Sequence, residues 1–292
     1  MKRHTVQDDR FDGSFLPFSR APEYIEVNRI CAESWANHIQ ASGLQVNSVL
    51  DIATGVGTMA NLFMRELWRV EFNPTLTCLD NSKWALELAR QSLLIDLKRV
   101  VFTNADITET ELPQKFDVII WANGVHYLYP DEQEKALSKI KSALNLGGFF
   151  CFNTAFHTEA IAPETRPFYS TKVKKAAETL KETLRLERVR GIKKKAAAIP
   201  QSKDHYVKLP QSAGMRVVEV QEHVVRGSLF FWQAIGSFHD YAEGALSGYP
   251  VADAVQALIE STEIAFNEHA SCGESGERFI ERRWLSVIAQ TE

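Results

Sequence analysis

Three acids and two glycines carry the chemistry that this sequence can be read for. Asp51, Gly55 and Gly57 stand in the run Val49-Leu50-Asp51-Ile52-Ala53-Thr54-Gly55-Val56-Gly57-Thr58, Asp80 closes the run Leu76-Thr77-Cys78-Leu79, and Asp106 follows Val100-Val101-Phe102. Glycine at 55 and 57 permits positive φ and lets a ligand touch bare backbone that a Cβ would shield. A carboxylate at the end of a second strand can accept two hydrogen bonds from the vicinal hydroxyls of a ribose. Asp106 can accept from an exocyclic amine such as adenine N6, with the Ile107 N–H as a donor to a ring nitrogen. Asp51, inside the first turn, offers negative charge that suits a cation. Together these groups describe a nucleoside-sized site.

They converge only if the elements before them are parallel strands. Apolar runs predict strands at 49–52, 75–79, 100–103, 116–121 and 149–153, and helical periodicity predicts helices at 58–70, 83–97 and 131–144. Alternation of this kind implies an α/β fold, a doubly wound and mostly parallel sheet with helices on both faces. Gly147-Gly148 is expected to stop a helix before the fifth strand. Two later runs, 216–220 and 283–288, complete a seven-stranded sheet. The region 230–266 between them reads as helical with two glycine breaks. Before the sheet, a polar lead (1–10), the aromatics Phe11, Phe15, Phe18 and Tyr24, and a helical pattern over 25–39 form an N-terminal segment. It is expected either to lie over the site or to pack the helix onto the sheet. Residues 171–192, with Lys193-Lys194-Lys195, read as a basic amphipathic helix, whose lysines are expected on a solvated face, with a role toward an anionic substrate as the lesser alternative. Residues 156–215 are expected to be an insertion over the carboxyl ends of the strands, a helical cap on a single domain of residues 1–292.

Two cofactors compete for the glycine turn. Gly55-Val56-Gly57-Thr58-Met59-Ala60 fits the dinucleotide pattern GxGxxA, with Asp80 near the expected ribose acid. A carboxylate four residues ahead of the first glycine would repel a pyrophosphate, but it suits an ammonium group. The run D-x-A-x-G-x-G resembles the nucleotide-binding turn of class I S-adenosylmethionine (SAM) methyltransferases, especially the ubiquinone/menaquinone-biosynthesis C-methyltransferase branch. The resemblance continues through Leu79-Asp80-Asn81-Ser82, Asn104-Ala105-Asp106-Ile107, Phe116-Asp117-Val118-Ile119-Ile120, Val125-His126-Tyr127-Leu128 and Leu144-Asn145-Leu146-Gly147-Gly148. It covers about residues 45 to 155. It implies a Rossmann-like methyltransferase fold with an antiparallel last strand and SAM as cofactor. The cofactor would be held by Asp51, Ala53, Thr54, Gly55, Gly57, Asp80, Asn81, Asp106, Ile107 and Asn123.

If SAM is bound, the sulfonium supplies the driving force, and the protein must mainly place an acceptor in line with the methyl. The run Trp121-Ala122-Asn123-Gly124-Val125-His126 lacks the Asn-Pro-Pro-aromatic signature of DNA amine methylation. The net charge of −4 gives no basic footprint for nucleic acid. A small organic acceptor is therefore expected: a metabolite, natural product or lipid-like molecule. Phe230-Phe231-Trp232 and 238–241 could line its pocket or pack the core. His126 is the candidate general base, with His157 and His239 as weaker ones. No metal is expected, since HxH and HExxH patterns are absent. A SAM-binding enzyme of non-methylating rearrangement and, less well, a nicotinamide-dependent oxidoreductase are the alternatives. Cys31, Cys78, Cys151 and Cys272 form no CxxC pair, and no apolar run reaches membrane-span length. A cytoplasmic protein without a membrane span is expected.

Overall fold

A computed structural model describes residues 13–112 and 114–292; Phe11 and the polar lead 1–10 lie outside the described residues. The chain order is α1 (Leu16–Ser19), α2 (Pro22–Ala41), β1 (Ser48–Ile52), α3 (Thr58–Arg69), β2 (Thr75–Asp80), α4 (Lys83–Ser92), β3 (Val100–Asn104), β4 (Phe116–Ala122), α5 (Pro130–Ala143) and β5 (Leu144–Thr154). It continues with α6 (Arg166–Glu178), α7 (Lys203–Ser212), β6 (Arg216–Gly227), α8 (Leu229–Gly236), α9 (His239–Ala245), α10 (Val251–His269), β7 (Ser271–Cys272) and β8 (Arg278–Gln290). The sheet order is β3-β2-β1-β4-β5-β8-β6, and the two-residue β7 pairs with β8. The five strands from β3 to β5 are parallel, and β8 is antiparallel to both β5 and β6. This is the expected doubly wound sheet of seven strands, with one short addition.

Strand alternation divides the core in two. Val49, Val118, Ile120, Phe149 and Cys151 face α2, α3 and α4, while Leu50, Ile119, Trp121, Phe150 and Phe152 face α5 and α7. A sheet covered on both faces explains the nearly continuous apolar runs. A third apolar cluster lies at the carboxyl end, where Phe18, Tyr24 and Val27 meet Phe168, Phe231, Trp232 and Trp284. A fourth joins α6 to α9 and α10 through Ala176, Ala242 and Leu258.

Several boundaries differ from those expected, each for a tertiary reason. The helix expected over 83–97 stops at Ser92, because Asn61 of α3 caps its end: Asn61 Nδ2 donates to the Ser92 carbonyl, and the Leu94 N–H donates to Asn61 Oδ1. Gly147-Gly148 does not separate helix from strand, since β5 already pairs at Leu144 with Phe116 and a register shift follows. The basic helix over 171–192 is instead α6 from Arg166, extended by a π-turn over Thr179–Thr183. It gives way at Arg185, which adopts a left-handed φ of 50°. Lys195 is not simply solvated but pairs with Asp240 and Glu243.

The segment 156–215 also divides. Its end forms α7, unexpected around Pro210, whose Tyr206 and Leu209 pack on the sheet with α5. Its first part, through α6 and on to Ala198, overlies the carboxyl edge: Leu186 packs with α6, α9 and α10, the Val189 N–H donates to the Gly248 carbonyl, and the Tyr129 hydroxyl donates to the Lys194 carbonyl. There it is joined by α8, α9 and α10, which enter between β6 and β8, so the roof comes from two separate stretches of chain. Helix α2 serves both layers. Cys31, Trp35 and Ile39 pack on the sheet, whereas Tyr24 and Val27 reach the roof.

Trp35 is fully buried and donates from Nε1 to Ser286 Oγ at 2.8 Å, linking α2 to β8. Trp35→Ala should destabilise the fold by about 3–5 kcal/mol, the cost of emptying a large aromatic site. Trp35→Phe, which keeps most of the volume, should cost less. Equilibrium chemical denaturation of both variants checks the order.

Candidate functional site

The chain runs outward from β1 through β2 to β3 and then returns to the other side of β1 as β4. In open α/β sheets such a reversal leaves a crevice at the carboxyl ends, where ligands bind. The loops after β1 and β4 meet at this point, and each holds a non-glycine residue in the left-handed region, Ala53 at φ 53° and Asn123 at φ 52°. Backbone strain of this kind, of order 1–3 kcal/mol per residue, persists only where surrounding contacts enforce it.

The turn after β1 is tied by short bonds. Thr54 N–H donates to the Leu79 carbonyl, Thr54 Oγ1 donates to the Asp51 carbonyl, and Gly57 N–H donates to the Thr54 carbonyl. Asp80, at the end of β2, accepts the Gly55 N–H at 2.8 Å on one oxygen and the Ser82 N–H at 2.9 Å on the other. The acid thus holds the glycine turn and the start of α4 in register.

The two glycines differ in what surrounds them. Gly55 has φ 56°, and among the described residues a Cβ there would find only the Ala53 carbonyl oxygen, at 3.9 Å. Gly57 has φ 83°, and a Cβ there would press on Ser92 Oγ at 3.2 Å and Leu93 Cδ2 at 3.3 Å. The open space that a ligand could use therefore lies at Gly55. The expectation that Gly57 admits a ligand is corrected: its missing side chain makes room for the end of α4.

Asp51 sits within β1, about 1% exposed, and its Oδ2 has no hydrogen-bond partner among the described residues. Burial pushes its carboxyl up to about 8, helped by the nearby charge of Asp80 and opposed by Thr54. A buried, unsatisfied carboxylate is costly unless a donor or cation meets it. The Oδ2 of Asp51 and the open space at Gly55 fit an ammonium-bearing nucleoside ligand such as SAM better than a pyrophosphate.

The remaining expected contacts divide. Asp106 Oδ1 accepts from the Thr108 N–H and Oγ1, fixing the loop after β3, and Ile107 is buried in the core below it. Asn81 is exposed just past β2. The Asn123 side chain is fully committed to protein: Nδ2 donates to Asn28 Oδ1 at 3.0 Å and to the Tyr24 hydroxyl, and Oδ1 accepts from Trp284 Nε1 at 2.9 Å. Its expected role toward a cofactor therefore reduces to main chain.

His126 is buried and stacked on Phe156 at 4.0 Å, with Nδ1 bonded to Thr154 Oγ1 and Nε2 unpartnered. Burial, reinforced by the charge of Arg282, pulls its pKa down to about 3. So weak a proton acceptor is mismatched to a general base working near neutrality, which corrects the expectation placed on it. His157 is also buried, with Nε2 unpartnered, and His239 begins α9.

Sequence reasoning singled out Tyr24 only as a packing or covering aromatic and missed Asn28, Asn153 and Trp284, which with it build the Asn123 network, and two buried cations, Lys172 and Arg282. A signal for the cations existed. Arg282 alternates with Trp284 and Ser286 on the inward side of a buried strand, and Lys172 stands four residues from both Phe168 and Ala176 on the apolar side of α6.

A carboxyl whose pKa is raised on folding binds its proton more tightly folded than unfolded. The stability from Asp51 is full below pH about 4 and is lost as pH rises toward 8. Asp51→Asn should remove this dependence, so its thermal midpoint should gain on the ligand-free wild type as pH rises from 4.5 to 8. The gain corresponds to at most about 1.4 kcal/mol per pH unit, and calorimetric scans across that range check it.

Residues 49–148 match the family model of a methyltransferase domain. No curated protein matches the sequence. The fold is similar to that of a proposed methyltransferase from Bacillus halodurans C-125, at 15% identity and TM-score 0.51, covering 88% of this chain and 97% of that one. It is also similar to the YcgJ protein of Bacillus subtilis, at 12% identity and TM-score 0.51, covering 89% and 98%. The matched segment contains the glycine turn, Asp51, Asp80 and Asp106, and the fold is shared along nearly the whole chain. Residues 49–148 therefore form a methyltransferase domain, set in a fold that the chain shares with these two structures.

Proposed function

We propose that this chain is a SAM-dependent methyltransferase acting on a small organic acceptor received beneath the roof, with the cofactor held by the loops after β1, β2 and β3. The observation that carries the cofactor placement is the buried Asp51 carboxylate with its unpartnered Oδ2, beside a turn whose backbone is open at Gly55. Asp51 would face the ammonium group of SAM, and the main chain at Ala53, Thr54 and Gly55 would line the path beside it. Asp80 would accept from the ribose hydroxyls. Asp106 Oδ2 and the Ile107 N–H would meet the adenine, with Asn81 at the rim. Bound SAM supplies an activated methyl group. The protein's own part is to orient the acceptor and exclude water, which the two-part roof and the first turns of α2 are placed to do.

The acidic overall balance supports a small molecule over nucleic acid. Among the described residues, no helix is long and apolar enough to cross a membrane. The roof, made of α6 and α8 to α10 with the N-terminal half of α2, is the proposed cap, in place of the whole segment 156–215.

Asp80→Ala should weaken SAM binding by roughly 1.5–3 kcal/mol, the range for hydrogen bonds to a charged group, or about 10- to 100-fold. Gly55→Val should lose SAM affinity while the protein stays folded. Gly57→Val should lower the thermal midpoint, because its side chain meets the end of α4. Titration calorimetry paired with thermal scans checks all three, and unchanged SAM affinity in both Asp80→Ala and Gly55→Val would remove this site as the cofactor's. Incubation of cell metabolites with isotopically labelled SAM should yield a labelled small molecule; labelled nucleic acid or protein instead would overturn the acceptor class.

A further inference from the structure

Two cations lie under the roof without counter-ions. Lys172 of α6 is fully buried and Arg282 of β8 is about 7% exposed, and among the described residues neither forms an ion pair. Arg282 donates from Nε and Nη2 to one carbonyl, that of Ala155, and its guanidinium lies over the rings of Phe156 at 5.2 Å and Tyr169 at 5.6 Å. The Lys172 ammonium has a long contact of 3.4 Å to the Trp232 carbonyl and lies 4.8 Å from the centre of the Tyr241 ring. Carbonyl and ring contacts offset only part of the cost of desolvating two like charges, which amounts to several kcal/mol per ion.

The surroundings hold further polar atoms that are unpaired among the described residues. They are the buried Tyr169 hydroxyl and the buried Nε2 atoms of His126 and His157. Both histidines are themselves at least nine-tenths buried. His126 and Arg282 cover the same Phe156 ring, so the cluster adjoins the loop after β4 that borders the proposed methyl-transfer site. Burial, together with the charge of Arg282, draws Lys172 down to about 7, which marks the absence of an anion that would hold its proton.

We propose that Arg282 and Lys172 receive a carboxylate of the methyl acceptor, so that the substrate is an organic acid with an apolar or aromatic body. The inference rests on the methyltransferase reading and on an acceptor seated beneath the roof. Nη1 of Arg282, the Lys172 ammonium and the Tyr169 hydroxyl supply donors in the number that one carboxylate accepts. Phe156, Tyr169, Trp232 and Tyr241 give the apolar wall for the body. A cationic acceptor would meet repulsion here, and a neutral one would leave both charges uncompensated.

Titration calorimetry on the full chain tests this in two stages: first with S-adenosylhomocysteine, then, on the saturated protein, with phenylacetate, phenylacetamide and inorganic phosphate. Wild type, Arg282→Gln and Lys172→Met should bind S-adenosylhomocysteine alike. Phenylacetate should bind wild type at least tenfold more tightly than its neutral amide, and both variants should lose that margin. Loss of S-adenosylhomocysteine binding in wild type would refute the cofactor reading. Intact cofactor binding with no preference for the carboxylate would overturn the inference alone, and phosphate binding more tightly than phenylacetate would replace the organic acid with a phosphorylated acceptor. Lys172→Met keeps the stem and removes the charge, so its ligand-free thermal midpoint should hold or rise. A lowered midpoint with the carboxylate preference intact would make Lys172 a structural residue and overturn its assignment.

Discussion

One buried amide network holds the site in shape. Asn28 Oδ1 accepts from both Asn123 Nδ2 and Asn153 Nδ2, the Asn123 N–H donates to Asn153, and Trp284 closes the circuit on Asn123 Oδ1. Asn28 in turn donates to the Tyr24 carbonyl one turn earlier in α2. These bonds join α2, the loop after β4, β5 and β8. They hold Asn123 at a left-handed φ of 52°, a conformation asparagine tolerates better than most non-glycine residues. Fully satisfied buried networks are rigid, because each lost partner leaves another polar group stranded in low dielectric. The loop after β4 is therefore fixed before any ligand arrives.

Strain and unsatisfied charge are concentrated around that frame. Asp51 keeps an oxygen without a donor, Ala53 a left-handed backbone, and Arg282 and Lys172 positive charge without an anion. Each costs the ligand-free protein some stability. Asp51 lies on the β1 side of the crevice, and Arg282 and Lys172 lie beyond β5.

The sequence made the sheet readable because its strands are buried on both faces, and apolar runs ending in Asp51, Asp80 and Asp106 mark their carboxyl ends directly. The glycine turn was readable for the same reason, since local conformation demands those residue types. Failures arose where a distant residue decided the outcome. Asn61 ends α4 from another helix, and the role of Gly57 depends on Ser92 and Leu93. His126 reads as a base in any list of polar residues near a strand end, but burial against Phe156 and the charge of Arg282 are set by elements far along the chain. The roof escaped for a related reason. Its two stretches are individually ordinary helices, and only their packing through α6 and α10 shows that they form one layer.

That split origin bears on how such a protein can diverge. The matched methyltransferase domain, residues 49–148, is contiguous, whereas α6 and α8 to α10 fall after it in two loops of the sheet. Substitutions in either stretch can reshape the roof without altering the strand ends that carry Asp51, Asp80 and Asp106. The catalytic half is then free to stay recognisable while the remainder drifts. The family match ends at Gly148, inside β5, the strand that leads into the first of those stretches.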